Sequence, residues 1–141
     1  MAARISPAEF LLLLRESIPL TEYYDFRIEA IGEGTAVMVL PPSPLHVRAG
    51  GTLSGPTLMT LADATLYAAV LGAVGPAALA VTSDLSFRFL RRPPLSTLRA
   101  EASLLARHSK LVVGQVLLYS EGVEEPVAQA TGSYVLPARS T

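Results

Sequence analysis

The segment from Ser54 to Gly75, SGPTLMTLADATLYAAVLGAVG, constrains this chain more than any other. Pro56 can open a helix in its first turn, and Leu58, Leu61, Ala62, Leu66, Ala69 and Val70 keep a helical spacing up to the breakers from Gly72 to Pro76. Such a helix is apolar on nearly every side, so other elements must enclose it. One residue resists that burial. Between Arg48 and Asp84, Asp63 is the only Asp, Glu, Lys, Arg or His. A buried ionised carboxylate without a partner is costly, and perturbed carboxylates gather at functional sites. A purely structural Asp63 would instead be satisfied by backbone groups or by hydroxyls such as those of Thr60, Thr65 or Tyr67.

The flanking sequence supplies what encloses the helix. Ser6, Pro7 and Glu9 form a capping pattern ahead of FLLLL, which predicts a short amphipathic helix ending before Pro19. Alternating Phe26, Ile28 and Ala30, then Gly32-Glu33-Gly34, then Thr35 to Leu40, read as a hairpin. PPSP at Pro41 to Pro44 cannot continue a sheet ladder and marks an irregular connection. After the helix come four β-rich segments, Leu79 to Leu90, Leu98 to Ala106, Leu111 to Tyr119 and Val127 to Val135, separated by RRPP, RHSK and EGVEEP. The expected class is α+β: a mainly antiparallel sheet of about six strands wrapped around one long buried helix, in one domain over residues 1–141. Periodicity leaves the strand order open.

Composition narrows the partners. A net charge of -1 with 16% charged residues offers no electrostatic footprint for nucleic acid. FLLLL is too short for a membrane span, and no apolar run reaches the roughly 20 uninterrupted residues one needs, so no membrane partner is expected. The absence of cysteine excludes disulfides, thiolate catalysis and Cys-ligated zinc, and fits a cytoplasmic location. Two histidines without an H-E-x-x-H or EF-hand pattern give no metal site, and no phosphate-binding glycine loop is present. A 50% hydrophobic content exceeds what one small core hides, which favours a homodimer or homotetramer.

HVRAGGTLSGPTLMTLADATLYAAV followed by AVTSDLSFRFLRRPP resembles the hotdog-fold acyl-CoA thioesterases of the PaaI-like, phenylacetate-degradation branch, a likeness that runs from about Tyr24 onward. Gly51, Gly55 and the LAD of Leu61 to Asp63 stand at the family spacing. Ser54 replaces the family's histidine, Pro56 its second glycine, and Arg48 its Asn or Gln. The resemblance implies hydrolysis of an acyl-CoA thioester without a cofactor. It makes Asp63 the general base or nucleophile, acting across a dimer interface from the partner's helix start, and Thr82 the hydroxyl that orients water. Ser54 and Arg48 become polar contacts and Tyr67 a pocket residue. FLRRP and RHSK match regions that touch coenzyme A, so Phe89, Leu90, Arg91, Arg92, Arg107 and Lys110 become candidate contacts, Arg being suited to bidentate phosphate binding. Taken singly, each of these basic residues is equally an ordinary solvated charge at a strand end.

Elementary geometry adds to this. The free N–H groups and positive end of a helix start suit an oxyanion, and Gly55 allows close approach. Pro56 lacks an N–H, which leaves more of that role to Gly55. Asp63 lies eight residues beyond Gly55, about 12 Å along a helix, so one carbonyl cannot touch both within one subunit. The alternative from another class is a non-catalytic acyl-CoA or small-ligand binding protein, motivated by the three replacements. A dehydratase is weaker still, for want of a histidine in or before the central helix at the catalytic setting.

Overall fold

The computed structural model describes residues 2–137. Helix α1, Pro7–Ser17, starts as its sequence requires: the Ser6 hydroxyl accepts from Glu9 N at 3.1 Å while Ser6 N donates to Glu9 Oε1 at 3.0 Å. It buries Phe10 and Leu14 and passes into a short 3-10 turn, Pro19–Tyr23. Strands β1, Arg27–Ile31, and β2, Thr35–Leu40, form the hairpin. A second 3-10 turn, Pro44–His46, leads into α2, Gly55–Val74. Strands β3, Val81–Phe89, β4, Leu98–Arg107, β5, Leu111–Ser120, and β6, Ala128–Val135, complete the described chain.

All six strands join one antiparallel sheet in the order β1-β2-β4-β5-β6-β3. Strand β3 therefore leaves its sequence neighbour β4 and pairs with the last strand, forming one edge. The alternation expected through Phe26, Ile28 and Ala30 breaks at a register shift around Glu29. Ala30 is exposed, and Ile31 packs toward the core in its place.

Helix α2 lies against the sheet face that carries Met38, Leu40, Leu98, Ala100, Val116 and Leu118, all essentially solvent-free. By length and composition it could cross a membrane, but 78% of its most apolar window is buried inside the protein. The sheet takes the place of lipid. Its approach is set by Leu66, which sits over Gly114 and Gly132, cross-strand partners in β5 and β6. A Cβ on Gly114 would stand 2.6 Å from Leu66 Cδ1, and one on Gly132 3.1 Å from its Cδ2. Only glycine at both positions lets the helix come so close.

Candidate active site

Asp63 is half-buried on α2, at the wall of a cavity, rather than enclosed as its apolar neighbours suggest. The chain's turn toward β3 and β6 explains this. Thr82 Oγ1 donates to Asp63 Oδ1 at 2.8 Å, and Tyr134 OH donates to the same oxygen at 2.7 Å, with a longer contact to the Asp63 carbonyl at 3.2 Å. Two hydroxyls thus hold one carboxylate oxygen, and Oδ2 makes no hydrogen bond among the described residues. No cation pairs with Asp63 among them either. The nearby hydroxyls that sequence offers as partners serve elsewhere: Thr60 and Thr65 donate to the carbonyls of Pro56 and Leu61, and Tyr67 to that of Ala77.

A β-bulge makes this arrangement. Thr82 faces Tyr134 across the β3–β6 ladder, but the register then slips, so that Asp84, not Ser83, faces Ser133. In an unbroken strand Thr82 and Asp84 would share a face. The slip turns Thr82 to the helix with Tyr134, while Asp84 accepts from the Ser133 hydroxyl at 2.6 Å. Burial, and then the charge of Asp63 beside it, push the Tyr134 phenol far above the usual tyrosine range, which keeps it a donor. Its ring stacks on Tyr67 with centroids 5.5 Å apart. Burial likewise raises the Tyr67 phenol. Tyr134 escaped the sequence reading. The one available signal was that a tyrosine in an apolar strand needs a partner for its hydroxyl.

The cavity beside Asp63 measures about 270 Å³ and also meets Tyr67, which offers its ring rather than its engaged hydroxyl. Gly55 belongs to a separate cleft of about 500 Å³, together with Arg48, Phe89, Leu90, Arg91 and Arg92. The Phe89 ring lies against Gly55, where a Cβ would come within 3.2 Å. Ser54 caps α2, its hydroxyl accepting from Thr57 N at 3.3 Å and bonding the Thr57 hydroxyl at 2.8 Å. Ser54 N in turn donates to the carbonyl of His46, whose buried ring stacks on Tyr24 at 4.9 Å. Arg91 is anchored, Nη1 donating to the Pro126 carbonyl at 2.8 Å.

Arg107 and Lys110 stand apart from this cleft. The ladders place the β4–β5 turn level with the Val81 end of β3, and Arg91 and Arg92 follow its Phe89 end. Those ends are separated by eight residues of strand, about 27 Å. Arg107 instead approaches Glu33 Oε1 at 4.0 Å. Within one chain the two basic clusters do not meet one phosphate group.

One chain thus carries two separate features: a held carboxylate beside an apolar cavity, and a helix start with arginines around it. The family model of the thioesterase superfamily matches residues 50–127, a span that holds Gly55, Asp63, Thr82, Arg91 and Arg92 and leaves out Arg48 and Tyr134. No curated protein matches the chain in sequence. Among solved structures, one from Silicibacter sp., described as a candidate thioesterase, shares 39% identity over 98% of this chain and 96% of its own, with a TM-score of 0.86. The PaaI protein from the phenylacetic acid degradation operon of Escherichia coli is 21% identical, with 91% and 95% covered and a TM-score of 0.75. A hypothetical thioesterase from Streptococcus pneumoniae, solved with coenzyme A, is 17% identical, with 96% and 100% covered and a TM-score of 0.77.

Proposed function

Since this chain belongs to the thioesterase superfamily, as a PaaI-like hotdog protein, we propose that it hydrolyses acyl-CoA thioesters at a site shared between two subunits. The observation that carries this reading is the carboxylate of Asp63, held through one oxygen by Thr82 and Tyr134 with the other left for chemistry. Asp63 Oδ2 takes a proton from water, whose oxygen adds to the thioester carbonyl. The oxyanion forms at the Gly55 N–H of the partner subunit. Collapse breaks the C–S bond, and the coenzyme A thiolate leaves, to be protonated by Asp63 or solvent. Direct attack by Asp63 on the carbonyl would give an anhydride that water then opens, with the same products. In either route Thr82 acts through Asp63, whereas the family resemblance assigns it the water.

Support for a shared site comes from β3. Its outer edge has no partner among the described residues, and Val81, Phe89 and Leu90 are about half exposed along it. An apolar edge of this kind invites pairing. Antiparallel pairing of two β3 strands about a two-fold axis near Leu85 sets Val81 of one chain opposite Phe89 of the other. That brings Gly55 of the partner subunit, which lies against its Phe89, to the end of β3 where Thr82 holds Asp63. Arg91 and Arg92 travel with the partner's Gly55 and would meet coenzyme A phosphates there, with Arg48 beside them.

Release of free thiol from a panel of acyl-CoAs, wild type beside Asp63→Asn, tests the reading. Turnover that is lost in the variant while the oligomer persists supports it. The binding-protein alternative draws on Ser54, whose hydroxyl is engaged in the helix cap. Acyl-CoA binding without turnover would favour that alternative.

A further inference from the structure

The walls of the cavity beside Asp63 come from α1, the turn after it, α2, β3 and β6, and most are hydrocarbon: Leu14, Ile18, Leu20, Met59, Ala64 and Leu85. Four hydroxyl side chains also line it, those of Thr21, Thr60, Tyr67 and Tyr134. A hydroxyl has one proton to give. Thr21 gives it to the Ile18 carbonyl at 2.7 Å, with the Leu14 carbonyl at 3.3 Å, Thr60 to the Pro56 carbonyl at 2.8 Å, and Tyr67 to the Ala77 carbonyl at 3.3 Å. No Lys, Arg or His lines the cavity among the described residues, and Asp63 is its one charged group. The hydroxyl of Tyr134 is already held by that carboxylate.

A polar group placed deep in this cavity would leave water and find no free donor, so a carboxylate is penalised most and a hydroxyl less. Size sets the other limit. An apolar cavity of about 150 Å³ takes one benzene, so 270 Å³ takes on the order of ten carbons. Resting on the thioesterase reading, we infer that this cavity is the acyl pocket and that its substrate class is the unsubstituted, medium-chain aliphatic acyl-CoA. The thioester carbonyl lies at Asp63 and the chain runs toward Leu14 and Ile18. Residues from α1 and the following turn, outside the span that the family model matches, then set chain length.

The test is kcat/KM for thiol release from acetyl-, hexanoyl-, decanoyl- and hexadecanoyl-CoA, beside decanoyl-CoA carrying a terminal hydroxyl or carboxylate, and a hydroxyaryl-acyl-CoA. Hexanoyl- or decanoyl-CoA is expected to lead. The terminal hydroxyl should cost about 10- to 100-fold, and the carboxylate more. Met59→Trp, at a position 40% exposed, fills the cavity and should lower the decanoyl-to-hexanoyl ratio at least tenfold, and Ile18→Trp provides a second variant should the first not fold. Turnover that favours acetyl-, hydroxylated or carboxylated chains, or a ratio unmoved by a folded variant, overturns the pocket inference and leaves hydrolysis standing. No thiol from any acyl-CoA overturns the thioesterase reading, and this inference with it.

Discussion

Tyr134→Phe removes one hydroxyl from the site and keeps the ring, whose stack on Tyr67 is nearly parallel at 6°. The lost contact is the 2.7 Å bond to Asp63 Oδ1, made by a side chain only 4% exposed. Hydrogen bonds to charged groups contribute roughly 1.5–3 kcal/mol. Thr82 still donates to the same oxygen at 2.8 Å, which places the loss near the lower bound. At about 1.36 kcal/mol per decade, kcat should fall roughly tenfold. KM should hold, because the hydroxyl orients the carboxylate rather than meeting the acyl group. Thr82→Val should do the same. With both donors gone Oδ1 has no partner, so the double variant should lose more than the two single losses combined, by at least about 0.5 kcal/mol. The assay is a double-mutant cycle in kcat for thiol release, with thermal melting as control. Tyr134→Phe should cost about 1 kcal/mol of stability, a drop of about 3 °C. A kcat within twofold of wild type, a rise in kcat, or a loss confined to KM would refute the positioning role.

Three further outcomes are expected. Gly55→Pro at the first helical position deletes the proposed oxyanion N–H and also presses a Cβ on the Phe89 ring, so both it and Asp63→Asn should be nearly inactive. Co-refolded in equal amounts, they should recover about a quarter of wild-type activity, since half the dimers are mixed and each holds one intact site. No recovery in verified mixed dimers would mean that Asp63 and Gly55 do not act across subunits. Gly114→Ala drives a methyl into Leu66 Cδ1 and toward the Ser103 carbonyl, which should cost about 1–3 kcal/mol and lower the melting temperature by several degrees. An unchanged melting curve would contradict the close approach of helix and sheet. Finally, the Ser6 backbone N–H, then its hydroxyl, hold Glu9 below its ordinary pKa of 4.5. That support for α1 is complete above this value and lost as pH falls through the lower folded value. Protection of the amides at the start of α1, taken relative to their intrinsic exchange rates at each pH, should fall on that acid side, and Glu9→Ala should remove that fall.

Local pattern determined much of this protein. The all-round apolar run from Leu58 to Val70 specified a buried helix, and turn residues delimited strands that begin and end within two residues of expectation. Asp63 stood out because a lone carboxylate in such a run needs a reason. Those features are legible because caps, turns and side-chain periods act over a few neighbouring residues. Tertiary structure decided the rest. Periodicity says that a face is buried, never against what, so it could not send β3 past β4 to pair with β6. Nor could it show the bulge after Thr82, where one extra residue changes which side chain meets the helix. Tyr134 reaches Asp63 across 71 residues of chain, and within one chain the two basic turns lie at opposite ends of the sheet. Distances of that kind arise only when the strands are paired, because the order and register of pairing, not the sequence spacing, set which residues become neighbours.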